Sequence, residues 1–122
     1  MSLVLRELVL DAHDVAAVAD FWQQVLGWER TGRWEDDGEI ELADPDGSWP
    51  ALLVVPVPEA KAAKNRLHLD VSPAAGSDQD TELARLLALG ATPVDVGQGE
   101  QTWIVLADPE GNEFCLLREP GV

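Results

Sequence analysis

The sequence predicts an α+β fold built from one βαβββ unit used twice. The tetrapeptide Asp44-Pro45-Asp46-Gly47 returns as Asp108-Pro109-Glu110-Gly111, and each copy follows one helical stripe and two strand-like runs. The glycines placed to end those helices, Gly27 and Gly90, lie 63 positions apart (90 minus 27), and the turn aspartates 64 (108 minus 44). An offset shared by two unrelated features marks an internal repeat. With 122 residues the chain has room for a single domain, module one about 1–57 and module two about 66–120.

Each element has its own signal. Leu3 to Leu10 is rich in aliphatic and β-branched residues and reads as the first strand. Asp14 is placed to cap a helix whose apolar stripe is Val15, Val18, Ala19, Trp22, Val25 and Leu26. Gly27 ends it, because a left-handed residue there costs glycine little. Trp28–Glu35 and Glu39–Ala43 read as strands joined through Asp36-Asp37-Gly38, a hairpin-type turn. After the first Asp-Pro-Asp-Gly turn, Ala51–Val55 is a buried strand halted by Pro56 and Pro58. Val57–Asn65 is a linker. The order then restarts with a half-buried strand over Arg66–Val71 and an N-cap at Ser77, with Asp80 as its capping partner. Leu83, Leu86 and Leu87 form the second helical stripe, closed by Gly90. The last three strands are Pro93–Val96, Thr102–Leu106 and Phe114–Leu117.

Composition narrows the function. Hydrophobic residues make up 46%, enough for a packed interior. Eight Lys and Arg against 23 Asp and Glu give a net charge of -15, which repels phosphate backbones and anionic headgroups. Neither nucleic acid nor a membrane surface is therefore an expected partner. A single cysteine, Cys115, excludes an intrachain disulfide. The first ten residues lack a signal peptide's basic start and apolar core, so a cytoplasmic protein is expected.

Asp20-Phe21-Trp22, Leu26-Gly27-Trp28, Leu67-His68-Leu69-Asp70-Val71 and Leu106 through Phe114 resemble the helix, fifth strand and final hairpin of glyoxalase-like domains. These belong to the vicinal oxygen chelate superfamily, with the bleomycin-resistance proteins and extradiol dioxygenases. The resemblance implies a curved mixed sheet around a cleft, commonly completed by a second subunit, hence a homodimer. It also implies metal ligands on the first and last strand of each module. On this sequence the first-strand positions fall on Glu7 and His68. The last-strand positions, seven residues past each turn aspartate, fall on Ala51 and Cys115. Alanine offers no donor, and Cys115 stands where metal-binding relatives carry glutamate. The metal set is therefore Glu7, His68 and Cys115 at most, and the favoured reading has no cofactor, with a divalent metal as the alternative.

Asp70 lies two residues after His68 on the same strand face. Trp34, Trp49 and Trp103 fall where this architecture surrounds its cleft, whereas Trp22 faces the core. Aromatic walls suit a flat organic ligand or a cation. The expected ligand-binding set is thus His68, Asp70, Trp34, Trp49, Trp103 and Cys115. His13, at the rim, reads as a solvent-exposed residue near an N-cap. Two functions follow: metal-free binding of a small organic molecule, or a divalent-metal-dependent lyase, isomerase or dioxygenase using Glu7 and His68. A third is an interaction domain with a vestigial cleft.

Overall fold

The structure, a computed structural model, describes residues 2–121. Its chain divides into two compact units, Met1–Ala60 and Lys61–Val122. The first contains β1 (Glu7–Ala12), α1 (Val15–Leu26), β2 (Glu29–Arg30), β3 (Ile40–Ala43) and β4 (Ala51–Pro56). Its sheet runs β1-β4-β3-β2, with β1 parallel to β4 and the other pairs antiparallel. The second contains β5 (Asp70–Val71), α2 (Gln79–Ala88), β6 (Thr92–Pro93), β7 (Ile104–Ala107) and β8 (Glu113–Leu116), in the order β5-β8-β7-β6. Again only the first and last strands are parallel. Each unit is therefore a βαβββ module with a four-stranded mixed sheet, as the repeat requires.

Asp14 caps α1 by accepting the Ala17 N–H at 3.1 Å, and Gly27 closes it at φ 68°. Val18, Ala19, Phe21 and Trp22 are buried along the helix, which packs on β1, β3 and β4. Phe21 and Trp22 meet edge to face, 5.3 Å between centroids. In the second unit the large buried side chains include Leu86, Val105, Leu106, Phe114 and Leu116. Gln79, at the start of α2, donates to the Thr102 and Leu116 carbonyls, fastening the helix to β8 and to the loop before β7.

Several boundaries differ from the sequence expectation, each because a strand exists only where a partner backbone lies beside it. The first strand starts at Glu7 because β4 begins at Ala51, directly opposite; Leu3, Val4 and Leu5 are exposed. Arg66–Val71 reduces to Asp70–Val71, while the Asn65 N–H just upstream goes to the Glu113 carboxylate instead of to a backbone carbonyl. The expected strand Trp28–Glu35 stops at Arg30. Beyond it the chain forms a 3₁₀ turn at Glu35–Asp37, with Asp37 N–H on Trp34 and Gly38 N–H on Glu35, in place of the expected hairpin-type turn through Asp36-Asp37-Gly38. The expected strand Pro93–Val96 becomes Thr92–Pro93, after which Asp95 accepts the Gly97 N–H at 2.8 Å and turns the chain. Asp78, not Ser77, caps α2: its carboxylate accepts the Thr81 N–H at 2.7 Å. A charged acceptor suits a helix N-terminus better than a hydroxyl. Ser77 instead donates to Glu82 at 2.8 Å, so Asp80 is not its capping partner.

The repeated turn is built the same way twice. Asp44 accepts the backbone N–H groups of Asp46 and Ser48, and Gly47, at φ 68°, donates back to the Asp44 carbonyl. Asp108 accepts those of Glu110 and Asn112, and Gly111, at φ 89°, donates back to Asp108. The second copy is more enclosed: Asp108 and Asn112 are buried, and the Asn112 amide donates to both Asp108 carboxylate oxygens. Among the described residues no helix is long and apolar enough to cross a membrane.

Candidate functional site

Seven residues past Asp108, the tight turn delivers Cys115 to the middle of β8, in register with Asp70 on β5. The ladder around them is regular, with Cys115 N–H on the Leu69 carbonyl at 2.9 Å and Leu117 N–H on Val71 at 2.8 Å. Seven residues past Asp44 the same construction places Ala51 opposite Glu7. The register corrects one sequence correspondence. Glu7 and Asp70 are the matched first-strand positions, 63 apart (70 minus 7), and the counterpart of His68 is Leu5 (68 minus 63).

His68 lies two residues before Asp70, in the segment just ahead of β5, and the two side chains meet. Its Nδ1 stands 3.3 Å from an Asp70 carboxylate oxygen, and both side chains are about half exposed. Cys115 is buried, and one donor atom from each of His68, Asp70 and Cys115 lies within 4.8 Å of the others. Burial pushes the Cys115 thiol above its usual range, and the negative charge and hydrogen bond of Asp70 push it further. At neutral pH, without an ion, Cys115 is therefore a protonated thiol rather than a nucleophile.

These three residues line one side of an open pocket of about 350 Å³ within the second unit. Val96, Trp103, Val105, Phe114 and Leu117 give it an apolar wall; Lys64, Gln98 and Glu113 add polar groups. Glu113 is fixed from below. It pairs with Lys61 at 3.0 Å and accepts the Asn65 N–H at 3.0 Å. Burial works against its charge, but those two partners prevail and hold its carboxyl below the usual glutamate range.

Of the residues singled out in the sequence, the structure gathers His68, Asp70, Trp103 and Cys115 around this pocket. Glu7, Trp34 and Trp49 belong to the first unit. Trp49 is exposed, and Trp34, at φ 66°, carries the Arg33 guanidinium 5.4 Å from its ring centre. Lys64, Gln98 and Glu113 were not found by sequence reasoning. Lys64 lay in what read as a linker, a segment that the Glu113 contacts fasten.

Duplicated βαβββ units, one of them carrying an open and partly apolar pocket, define the class of protein. The chain belongs to the glyoxalase-like domain family, within the vicinal oxygen chelate superfamily: the family profile matches residues 7–117. Solved structures agree on the fold. The fosfomycin resistance protein FosX from Mesorhizobium loti superposes with a TM-score of 0.71 at 16% identity, covering 96% of this chain and 92% of that one. A mutant FosX from Listeria monocytogenes, solved with Mn(II) and 1S,2S-dihydroxypropylphosphonic acid, gives 0.69 at 18%, covering 100% and 94%. A glyoxalase/bleomycin resistance protein/dioxygenase family enzyme from Burkholderia phytofirmans PsJN gives 0.67 at 18%, covering 90% and 94%. No curated protein matches the sequence.

The donor set does not fit a hard, oxygen-preferring ion of the Mn(II) kind. Ala51 supplies nothing, and a sulfur stands at the last-strand position of the second unit.

Proposed function

We propose that the second unit binds a small, flat organic molecule, as a binding or sequestering protein, and that apolar burial rather than a metal supplies the affinity. The observation that carries this is the pocket itself, where Trp103 and the Val105–Phe114–Leu117 wall stand beside a few convergent polar groups. Trp103 offers a stacking face, being 38% exposed while its apolar neighbours Val105 and Phe114 are buried. His68 and Asp70 orient the ligand's polar group. A net charge of -15 concentrates cations at the surface, so a neutral or cationic ligand is favoured over an anion.

The test is a panel of flat aromatic amines and matched carboxylates, titrated by calorimetry against chelator-treated protein. Amines bind and carboxylates bind less well. Trp103→Ala weakens binding about tenfold, whereas Trp103→Phe keeps most of it. A Trp103→Ala protein with unchanged affinity, or binding that vanishes on chelation, sinks the proposal.

A further inference from the structure

We propose that the chain between β6 and β7 is a lid, which closes over a ligand in the second unit's pocket and sets how long it stays. The lid acts on the flat organic ligand already proposed, so it rests on that reading, and it adds a step of closure to it.

Three features carry it. First, the segment supplies pocket wall without being packed down. Val96 and Gln98 line the pocket, yet Val96 is 37% exposed, an apolar side chain that further burial would stabilise. Second, the middle of the segment is fastened only to itself. Asp95 accepts the Gly97 N–H at 2.8 Å, the Gln98 side-chain oxygen accepts the Val96 N–H at 2.8 Å, and the Gln101 amide donates to the Gln98 carbonyl at 3.0 Å. Among the described residues, every hydrogen bond of residues 95–101 ends within residues 94–101. A segment braced internally but untied from its surroundings moves as one piece at small cost. Third, both ends are fixed. Val94 N–H bonds to the Val105 carbonyl at 3.0 Å, and Gln79, at the start of α2, donates to the Thr102 carbonyl at 2.8 Å. Trp103 lies just past that clamp, on the stationary side. Between the fixed ends stand Gly97 at φ 85° and Gly99 at φ 64°. A Cβ added at either would meet nothing within 4 Å, so these glycines supply backbone freedom rather than close packing. Swinging inward, the lid carries Val96 towards a ligand stacked on Trp103. Both side chains, 37% and 38% exposed, then lose water together. Closure therefore slows departure more than it speeds arrival.

The experiment uses the full chain, with naphthylmethylamine, one of the flat aromatic amines, as the probe. Hydrogen exchange read by mass spectrometry compares residues 95–101 with and without saturating probe. Stopped-flow tryptophan fluorescence gives the probe's dissociation rate. Exchange across residues 95–101 slows at least about fivefold on binding, while β1 to β4 are unaffected. Val96→Ala speeds dissociation about fivefold with the thermal midpoint unchanged, and Val96→Ile keeps the parent rate. Gln98→Ala, which removes the internal brace, speeds exchange of the segment in the free protein. A probe that binds without slowing exchange at residues 95–101, or a Val96→Ala protein with the parent dissociation rate, would overturn the lid and leave the organic-ligand reading standing. If no amine of the panel binds the parent protein, both fall.

Discussion

Glu113 opens β8 beside the pocket, and its carboxylate holds the segment that carries Lys64. It accepts the Asn65 N–H and pairs with Lys61, and both side chains of the pair are largely buried. Its folded-state carboxyl is held below the ordinary value of 4.5. The stability it contributes is thus fully present above that value and lost as pH falls through the lower folded one. Glu113→Gln should cost about 1 kcal/mol at neutral pH. In urea denaturation the gap from the parent protein should narrow as the solution is acidified below the ordinary value; a gap that stays constant into acid would show that the charge is not what matters. Sequence pointed to Cys115 through a count from the turn. It could not point to Glu113, whose importance rests on a lysine 52 positions away.

At the scale of elements, α2 depends on a cap that the sequence misplaces by one residue. The Asp78 carboxyl is held below its ordinary range chiefly by the Thr81 backbone N–H, with the Thr81 side chain assisting. Asp78→Ala should lower the thermal midpoint and Asp78→Asn should restore most of it, because both asparagine and aspartate cap well. Ser77→Ala should cost less, and a larger loss there would return the cap to Ser77. Helices were legible because their signals are local: an apolar stripe, a capping side chain, a glycine. Strand lengths were not. Whether Leu3 or Arg66 joins a ladder depends on where the opposing strand begins, and nothing within either segment records that. The same holds for the site. Its residue types could be read in order, but the pairing of Asp70, rather than His68, with Cys115 is a property of register.

For the whole molecule, 23 acidic against 8 basic residues make self-repulsion a standing cost of compactness. Raising ionic strength from about 0.01 to 0.15 M shortens the screening length from about 30 to 8 Å. The midpoint of thermal unfolding, followed by circular dichroism, should therefore rise over that range. A midpoint that falls would mean that attractive pairs such as Arg30–Asp20 and Lys61–Glu113 outweigh the repulsion.

The twin turns have one more consequence. Asp44 and Asp108 impose the same ladder on both halves, so Ala51 faces Glu7 as Cys115 faces Asp70. The polypeptide thus contains its own blank, the matching ladder position with the same backbone and a methyl group where the other half carries a thiol. Duplication of this kind divides labour. One half can remain pure scaffold while point changes in the other alter its chemistry, without either half relearning how to fold.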